Sequence, residues 1–476
     1  MPHLVPIVVV ALLGWHEPSQ APASPVDVVE ALQNALVDAI ARAEPSIVAI
    51  ARDKDAKTEE TSAVRGRNPL PPRQDMANFG MIRPFEEPEP DYIASDYGSG
   101  VVVGDQGQIL TSFHVVRGAS RLRVRALGVR EFDAEVIAAD PRSDLAVIVP
   151  REIPGRVPPR LKPIVVGDAG SLRKGMFLLA LGNPFNAGRD GRASASWGIL
   201  ANVARRIDPG LIEPFKKQLR NYPTLLQLDA KLNLGMSGGA VVNLKGELVG
   251  LTTNAANAGG FDTQAGYALP MDILARRAIE SLRNGQEVEY GFLGVELPSD
   301  NSNRIANVQP GTPAGEGGLI ADDAVLAIGG LPVVDSDTLV MAVNAFKPGT
   351  PIKLRILRNE QEIERTVVLS KLRVHGEVIA TNRPVSWRGL RVDFVSTLNN
   401  AALGNALLDA MAKGGVVIAE VQPGSTAEDA GLKPGQVIVK VEDEIIRNPA
   451  DFTKAIATKN GPVTVTIEGD RTFTIK

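Results

Sequence analysis

The chain has 476 residues, several times what one hydrophobic core needs, and its 44% hydrophobic and 22% charged residues match a soluble globular average. That excludes wholesale disorder and a polytopic membrane protein, and predicts about three domains with no integral membrane span. Lys and Arg number 51 against 55 Asp and Glu, a net charge of −4, so no global field draws the chain to nucleic acid or anionic lipid.

Cysteine is absent, which removes disulfide and thiol chemistry. The four histidines, His3, His16, His114 and His375, are too scattered to build a zinc site, so no metal or cofactor is expected. At the N-terminus an apolar run, LVPIVVVALL at residues 4–13, has the length of a signal-peptide core and is too short to span a bilayer. Ala21-Pro22-Ala23 follows as a small-residue cleavage pattern, so residues 1–24 read as a leader and the expected compartment is periplasmic or secreted. The leader departs from pattern in having no Lys or Arg before the run.

From Val26 to Ala43 apolar residues recur three and four apart, predicting an amphipathic helix that Glu44-Pro45 ends, and a strand over 46–51 follows. Residues 53–96 carry clustered charge and many prolines and predict a long mobile loop. Between Gly98 and Pro270, short apolar or alternating runs separated by Gly, Asp, Asn and Pro predict a β-barrel or sandwich. Residues 270–284 return to helical spacing as a connecting helix.

The last third contains a repeat. Val308-Gln309-Pro310-Gly311-Thr312 recurs as Val421-Gln422-Pro423-Gly424-Ser425, and Gly318-Leu319 as Gly431-Leu432, at one constant offset of 113 (421 minus 308; 431 minus 318). Each copy has a glycine-bearing segment ahead of it: Tyr290-Gly291-Phe292-Leu293-Gly294 in the first and Arg388-Gly389-Leu390 in the second. Two small homologous modules follow the β-rich domain. The boundaries are 25–284 for that domain, 285–373 for the first module and 386–476 for the second.

Three segments carry chemistry. His114 follows the apolar strand of GQILTSFHVV, Asp144 opens the strand of DPRSDLAVIV, and Ser237 stands among Gly235, Gly238 and Gly239 in NLGMSGGAVVN. A serine hydroxyl needs an imidazole base to become nucleophilic, and the imidazole needs a carboxylate to hold its tautomer. The glycines let the backbone turn tightly, so the amides of Gly235 and Ser237 serve as oxyanion donors. Gly235-Met236-Ser237-Gly238-Gly239 also fits the nucleophile elbow of α/β-hydrolases, but that fold places its acid and histidine after the serine, and the only later histidine is His375. The order His, Asp, Ser on an all-β pattern favours a serine protease.

On the segments GSGVVV, ILTSFHVV, DPRSDLAVIV, LGNPF, LQLDAKLNLGMSGGAVVN, AGYALP, YGFLGV and the paired QPG…GL stretches, the chain from Val26 onward resembles the HtrA/Deg family of trypsin-like serine proteases with two PDZ domains. The resemblance implies a mostly β fold, a chymotrypsin-like double β-barrel followed by two α+β PDZ-like domains, with the site in the cleft between six-stranded barrels. It implies His114 as general base, Asp144 as its orienting acid and Ser237 as nucleophile. It also implies a homotrimer or higher assembly. Phe113, Met236 and Ala240 depart from the family pattern, and Met236 is expected to alter the primed side of the cleft. Lys231 and Leu232 fall where such enzymes build their specificity pocket, and Lys231 is expected to reach out to solvent. The segments 204–223, with Arg205 and Arg206, and 254–265 correspond to regulatory loops.

In the modules, a glycine-bearing loop presents amides to a terminal carboxylate while the following strand offers an edge to an extended peptide. The expected partners are therefore peptide C-termini and unfolded protein substrates. The function that the resemblance implies is ATP-independent cleavage of unfolded or damaged proteins, which the lack of a Walker-type nucleotide loop does not contradict. The competing reading is a non-proteolytic holdase built on a protease fold.

Overall fold

The computed structural model describes residues 24–53, 97–184, 190–205, 224–253, 266–398 and 413–476. Outside them lie the expected leader apart from Ser24, the expected mobile loop apart from Asp53, and the segments 206–223 and 254–265. Helix α1 (Pro25–Ala43) begins one residue earlier than its periodicity predicts. Ser24 Oγ accepts from the Asp27 amide and the Asp27 carboxylate accepts from the Ser24 amide, so two unpaired donors are satisfied reciprocally. Only Ala39 and Ala43 are buried, whereas Val26, Val28, Val29 and Val37 are exposed. The far end is pinned by Arg42, which donates to the carbonyls of Leu244 and Lys245.

Strands β1 (Ile47–Asp53), β2 (Tyr97–Val102) and β3 (Ile109–Ser112) are followed by the single turn α2 (Phe113–Val116), then β4 (Arg121–Ala126), β5 (Val129–Asp140) and β6 (Leu145–Pro150). They pair in the order β5-β4-β1-β2-β3-β6, and β6 pairs back onto β5 to close a barrel. A second closed barrel, β10-β11-β12-β9-β8-β7, is built from β7 (Phe177–Gly182), β8 (Ser194–Arg205), β9 (Leu225–Leu228), β10 (Ala240–Val242), β11 (Leu248–Thr253) and β12 (Gly266–Pro270). The two kinds of apolar run have different uses. In β4, RLRVRA turns Leu122, Val124 and Ala126 inward and its arginines outward, whereas β3 and β11 are buried along their whole length and are accordingly apolar or small throughout.

Helix α3 (Ile273–Arg283), the expected connecting helix, starts at an N-cap bond from the Ala275 amide to Asp272 Oδ1 and buries Leu274, Ala275, Ala278 and Leu282. The core that these residues share with both barrels runs on through Val288 to Tyr290, past the expected boundary at residue 284.

The first module comprises β13 (Gly291–Phe292), β14 (Val295–Glu296), β15 (Asn307–Val308), β16 (Ala324–Ile328), β17 (Leu331–Pro332), helix α4 (Ser336–Asn344), β18 (Pro351–Arg358), β19 (Gln361–Val368) and β20 (Ser370–Lys371), around a core that includes Leu293, Ile305, Val325 and Leu354. A connecting strand, β21 (Ile379–Ala380), joins the edge of the first barrel by pairing with Ala138 and Ala139. The second module comprises β22 (Leu390–Phe394), β23 (Val416–Val421), β24 (Val437–Val441), β25 (Glu444–Ile445), helix α5 (Pro449–Ile456), β26 (Val463–Ile467) and β27 (Arg471–Ile475), around Leu390, Ile418, Ile438 and Phe452. Among the described residues no helix is long and apolar enough to cross a membrane.

Candidate active site

His114 sits on α2 where the buried strand β3 ends, and Asp144 immediately precedes β6, which pairs with β3. The two are brought together by the backbone itself, since the Phe113 amide donates to the Asp144 carbonyl at 2.8 Å. The Asp144 carboxylate then takes both donors of His114, the amide on Oδ1 at 3.0 Å and ring Nδ1 on Oδ2 at 2.7 Å. Because a carboxylate only accepts, Nδ1 carries the proton and Nε2 is the basic nitrogen. Nε2 is buried and, among the described residues, has no hydrogen-bond partner. From below, the buried Arg52 donates to the carbonyls of His114 and Arg117, which fixes the end of the turn.

Asp144 has φ 55°, the left-handed region that non-glycine residues rarely occupy, and its turn is organised by the buried Asp140. The Asp140 carboxylate accepts from the amides of Arg142 (3.2 Å) and Ser143 (3.0 Å), from the Ser143 hydroxyl (2.6 Å) and from the Tyr290 phenol. Burial pushes the Asp140 carboxyl up, opposed by the hydrogen bonds from Ser143 and Tyr290.

Ser237 comes from the second barrel, on the loop before β10. Its carbonyl accepts from the Ser99 amide at 2.8 Å, which seats the Ser237 loop on β2. Gly238 permits the approach: at φ 80°, a Cβ there would lie 2.3 Å from the Ser99 carbonyl oxygen and 2.4 Å from Thr111 Oγ1. The Gly238 amide donates to Thr252 O, the Thr252 amide to Gly239 O and Thr252 Oγ1 to Met236 O, so β11 clamps the loop from the other side. Among the described residues, the amides of Gly235 and Ser237 donate to no protein group. Ser237 Oγ and His114 Nε2 are not hydrogen-bonded to each other, a separation that apo sites often close only around substrate.

Ser99 escaped sequence reasoning. Its fully buried hydroxyl accepts from the Asn183 amide at 2.8 Å and donates to Gly235 O at 2.7 Å, so one side chain of the first barrel ties two loops of the second. The only sequence signal is a serine between two glycines, Gly98 and Gly100, which a turn would equally explain.

Met236 does not line the cleft as expected. It is 3% exposed, packed in the second barrel's core, and its Sδ accepts from the Asn233 amide at 3.4 Å. Phe113 and Ala240 are likewise buried in core. The Lys231 side chain is exposed, while its carbonyl accepts from Ser196 Oγ; Leu232 is half-buried against the second barrel, close under Gly266. Of the loop residues named from sequence, Arg206 lies outside the described residues and Arg205 ends β8.

In the first module Leu293 is core, Phe292 is half-buried, Gly291 opens β13 and Gly294 sits at φ 84° against Thr312. The Tyr290 side chain turns away from this loop and into the core shared by the two barrels. In the second module Gly389 also has φ 84° and packs on Ser425. Gly294 O accepts from the Gln309 amide and Gly389 O from Gln422, so Gly389 is the counterpart of Gly294, Arg388 of Leu293 and Leu390 of Val295. Arg388 is committed to its own domain, donating to the carbonyls of Ile475, Gly461 and Lys459 while stacked on Trp387. Among the described residues β14 pairs only with β15 and β22 only with β23, which leaves one edge of each open.

Residues 98–251 match the family model of trypsin-like peptidase domains, and residues 291–369 and 417–469 match two models of PDZ domains. The chain is 30% identical over 392 residues to the periplasmic pH-dependent serine endoprotease DegQ of Escherichia coli (strain K12), covering 79% of each. It is 29% identical to the periplasmic serine endoprotease DegP of the same organism, over 79% of this chain and 75% of that one. Its likeness to a probable periplasmic serine endoprotease, DegP-like, of Pseudomonas fluorescens is 29% over 87% of this chain and 86% of the relative.

Proposed function

The chain belongs to the HtrA/Deg family of serine endoproteases with PDZ domains, and from that premise we propose that it cleaves unfolded or damaged proteins without nucleotide, through Ser237, His114 and Asp144. The observation that carries this reading is the buried His114–Asp144 pair, joined at 2.7 Å, together with a Ser237 loop seated on β2 of the same barrel; among the described residues Nε2 and the Gly235 and Ser237 amides are all unpartnered.

In the reaction, Ser237 Oγ attacks the scissile carbonyl as its proton passes to Nε2, and Asp144 stabilises the imidazolium through Nδ1–H. The oxyanion takes the amides of Gly235 and Ser237. The C–N bond breaks as the leaving amine takes the proton from Nε2, leaving an acyl-serine. Water, deprotonated by the same nitrogen, then releases the acid and restores the hydroxyl.

We place the enzyme in the periplasm as a homotrimer or larger assembly, by analogy with its periplasmic relatives and its family. The PDZ modules recruit peptide C-termini along the open edges of β14 and β22 and adjust proteolysis accordingly. The test is casein hydrolysis without nucleotide by wild type and Ser237→Ala. The reading requires cleavage that disappears in the variant. Folded wild type that cleaves neither casein nor activating-peptide-supplemented substrate would instead support a holdase.

A further inference from the structure

Tyr290 precedes the first module, yet its ring belongs to the protease domain. It is 1% exposed and its hydroxyl donates to Asp140 Oδ2, a residue 150 positions earlier. The guanidinium of Arg142 lies over the ring at 5.0 Å from its centroid and that of Arg277, on α3, at 5.7 Å. Arg277 also donates to Asn344 O at the end of α4, so the stack reaches a helix of the first module. Three of the four hydrogen bonds to Asp140 come from its own turn, at Arg142 and Ser143. The fourth, from Tyr290, is the only one of them that ties that turn to another part of the fold.

Asp140 and Asp144 bracket a single tight turn, and Asp144 is held there at a positive φ that it would leave if the turn relaxed. We infer that Tyr290 is a positioning residue for the catalytic acid: the segment leading into the first module supplies the hydroxyl that fixes the 140–144 turn and so aims Asp144 at His114 Nδ1. The inference rests on the triad reading above. It makes the protease domain incomplete at residue 284, because a chain ending there lacks the hydroxyl.

Tyr290→Phe in the full-length protein keeps the ring between its two arginines and removes only the donor. The loss of one buried hydrogen bond to a carboxylate sets the scale at about tenfold. The expected result is kcat about tenfold lower with KM unchanged, acylation of Ser237 by a fluorophosphonate slowed by the same factor, and a shifted or broadened low-field proton resonance of His114 Nδ1. Asp140→Ala, which removes the acceptor, is the second variant, and adding Tyr290→Phe to it should have no further effect on kcat. A lower thermal midpoint with kcat per titrated site and the resonance both unchanged would overturn the inference and leave Tyr290 a packing residue. Wild type that neither hydrolyses protein nor is labelled would sink the triad reading; the Nδ1 resonance still decides the positioning of Asp144 in that case.

Discussion

Ser99→Ala perturbs the cleft without touching the three residues proposed to do the chemistry. The change removes one oxygen that is fully buried and holds two hydrogen bonds, at 2.8 Å from the Asn183 amide and 2.7 Å to the Gly235 carbonyl. At about 1 kcal/mol net for each, the stability lost is about 2 kcal/mol, and more if the Gly235 carbonyl finds no other donor. The catalytic effect is the larger one. With its carbonyl untethered, Gly235 at φ 89° has no side chain to restrict it, and its amide leaves the place where an oxyanion forms. Complete loss of one such donor costs about 100- to 1,000-fold in kcat, so misplacement predicts about 10- to 100-fold with KM changed less than about twofold. Single-turnover acylation by a peptide ester, normalised to the folded fraction from a denaturation curve, measures this. A kcat within about twofold of wild type would refute the claim that Ser99 holds the oxyanion site.

Three other outcomes follow from buried or tightly packed groups. Asp272 has one carboxylate oxygen bonded to the Ala275 amide and the other buried without a partner among the described residues, and burial raises its pKa to about 6. The native state thus holds the proton where the unfolded chain has lost it, so this group's stabilisation is full below about pH 4 and declines by about 2 kcal/mol as the pH rises to about 6; urea midpoints should show that decline in wild type and not in Asp272→Asn. Lys371 is 5% exposed and gathers Asp393 (2.8 Å), Glu287 (3.0 Å) and Glu289 (3.4 Å), joining the two modules to the segment ahead of the first. Burial alone lowers its pKa, and the three carboxylates outweigh that and hold it above the ordinary lysine range. Lys371→Met leaves them facing one another and should cost about 3–5 kcal/mol in chemical denaturation at neutral pH. Gly294→Ala and Gly389→Ala each put a Cβ about 2 Å from the Cβ of Thr312 or Ser425 at a positive φ; each should lower the calorimetric transition of its own module, by about 3 kcal/mol, and leave the other's in place.

What the sequence made legible was local or repetitive. The strands of both barrels announced themselves as alternating or continuously apolar runs, α1 and α3 as periods near 3.6, and the modules as a fixed offset. His114, Asp144 and Ser237 stood out because their residue types, order and glycine setting are all demanded by one reaction. The rest depends on contacts distant in sequence. Ser99 meets Gly235 across 136 positions and Tyr290 meets Asp140 across 150, and no local pattern encodes either. β21 is two residues of a connector whose pairing is decided by the open edge of β5. The loop of the second module is marked in the sequence by one glycine, Gly389. Its alignment with the first was hidden because 36 residues separate Gly389 from Ser425 where 18 separate Gly294 from Thr312 (425 minus 389; 312 minus 294). Met236 shows the limit of reading a departure from pattern, since a residue beside the nucleophile need not face the cleft.

Ser237 owes its reactivity, on the proposed mechanism, to His114. Labelling the purified full-length protein with diisopropyl fluorophosphate and locating the adduct by peptide mass spectrometry tests it directly. One adduct is expected, on Ser237, forming in wild type and failing to form in His114→Ala under the same conditions. An adduct on another residue, or labelling of Ser237 that proceeds equally well without His114, would contradict it.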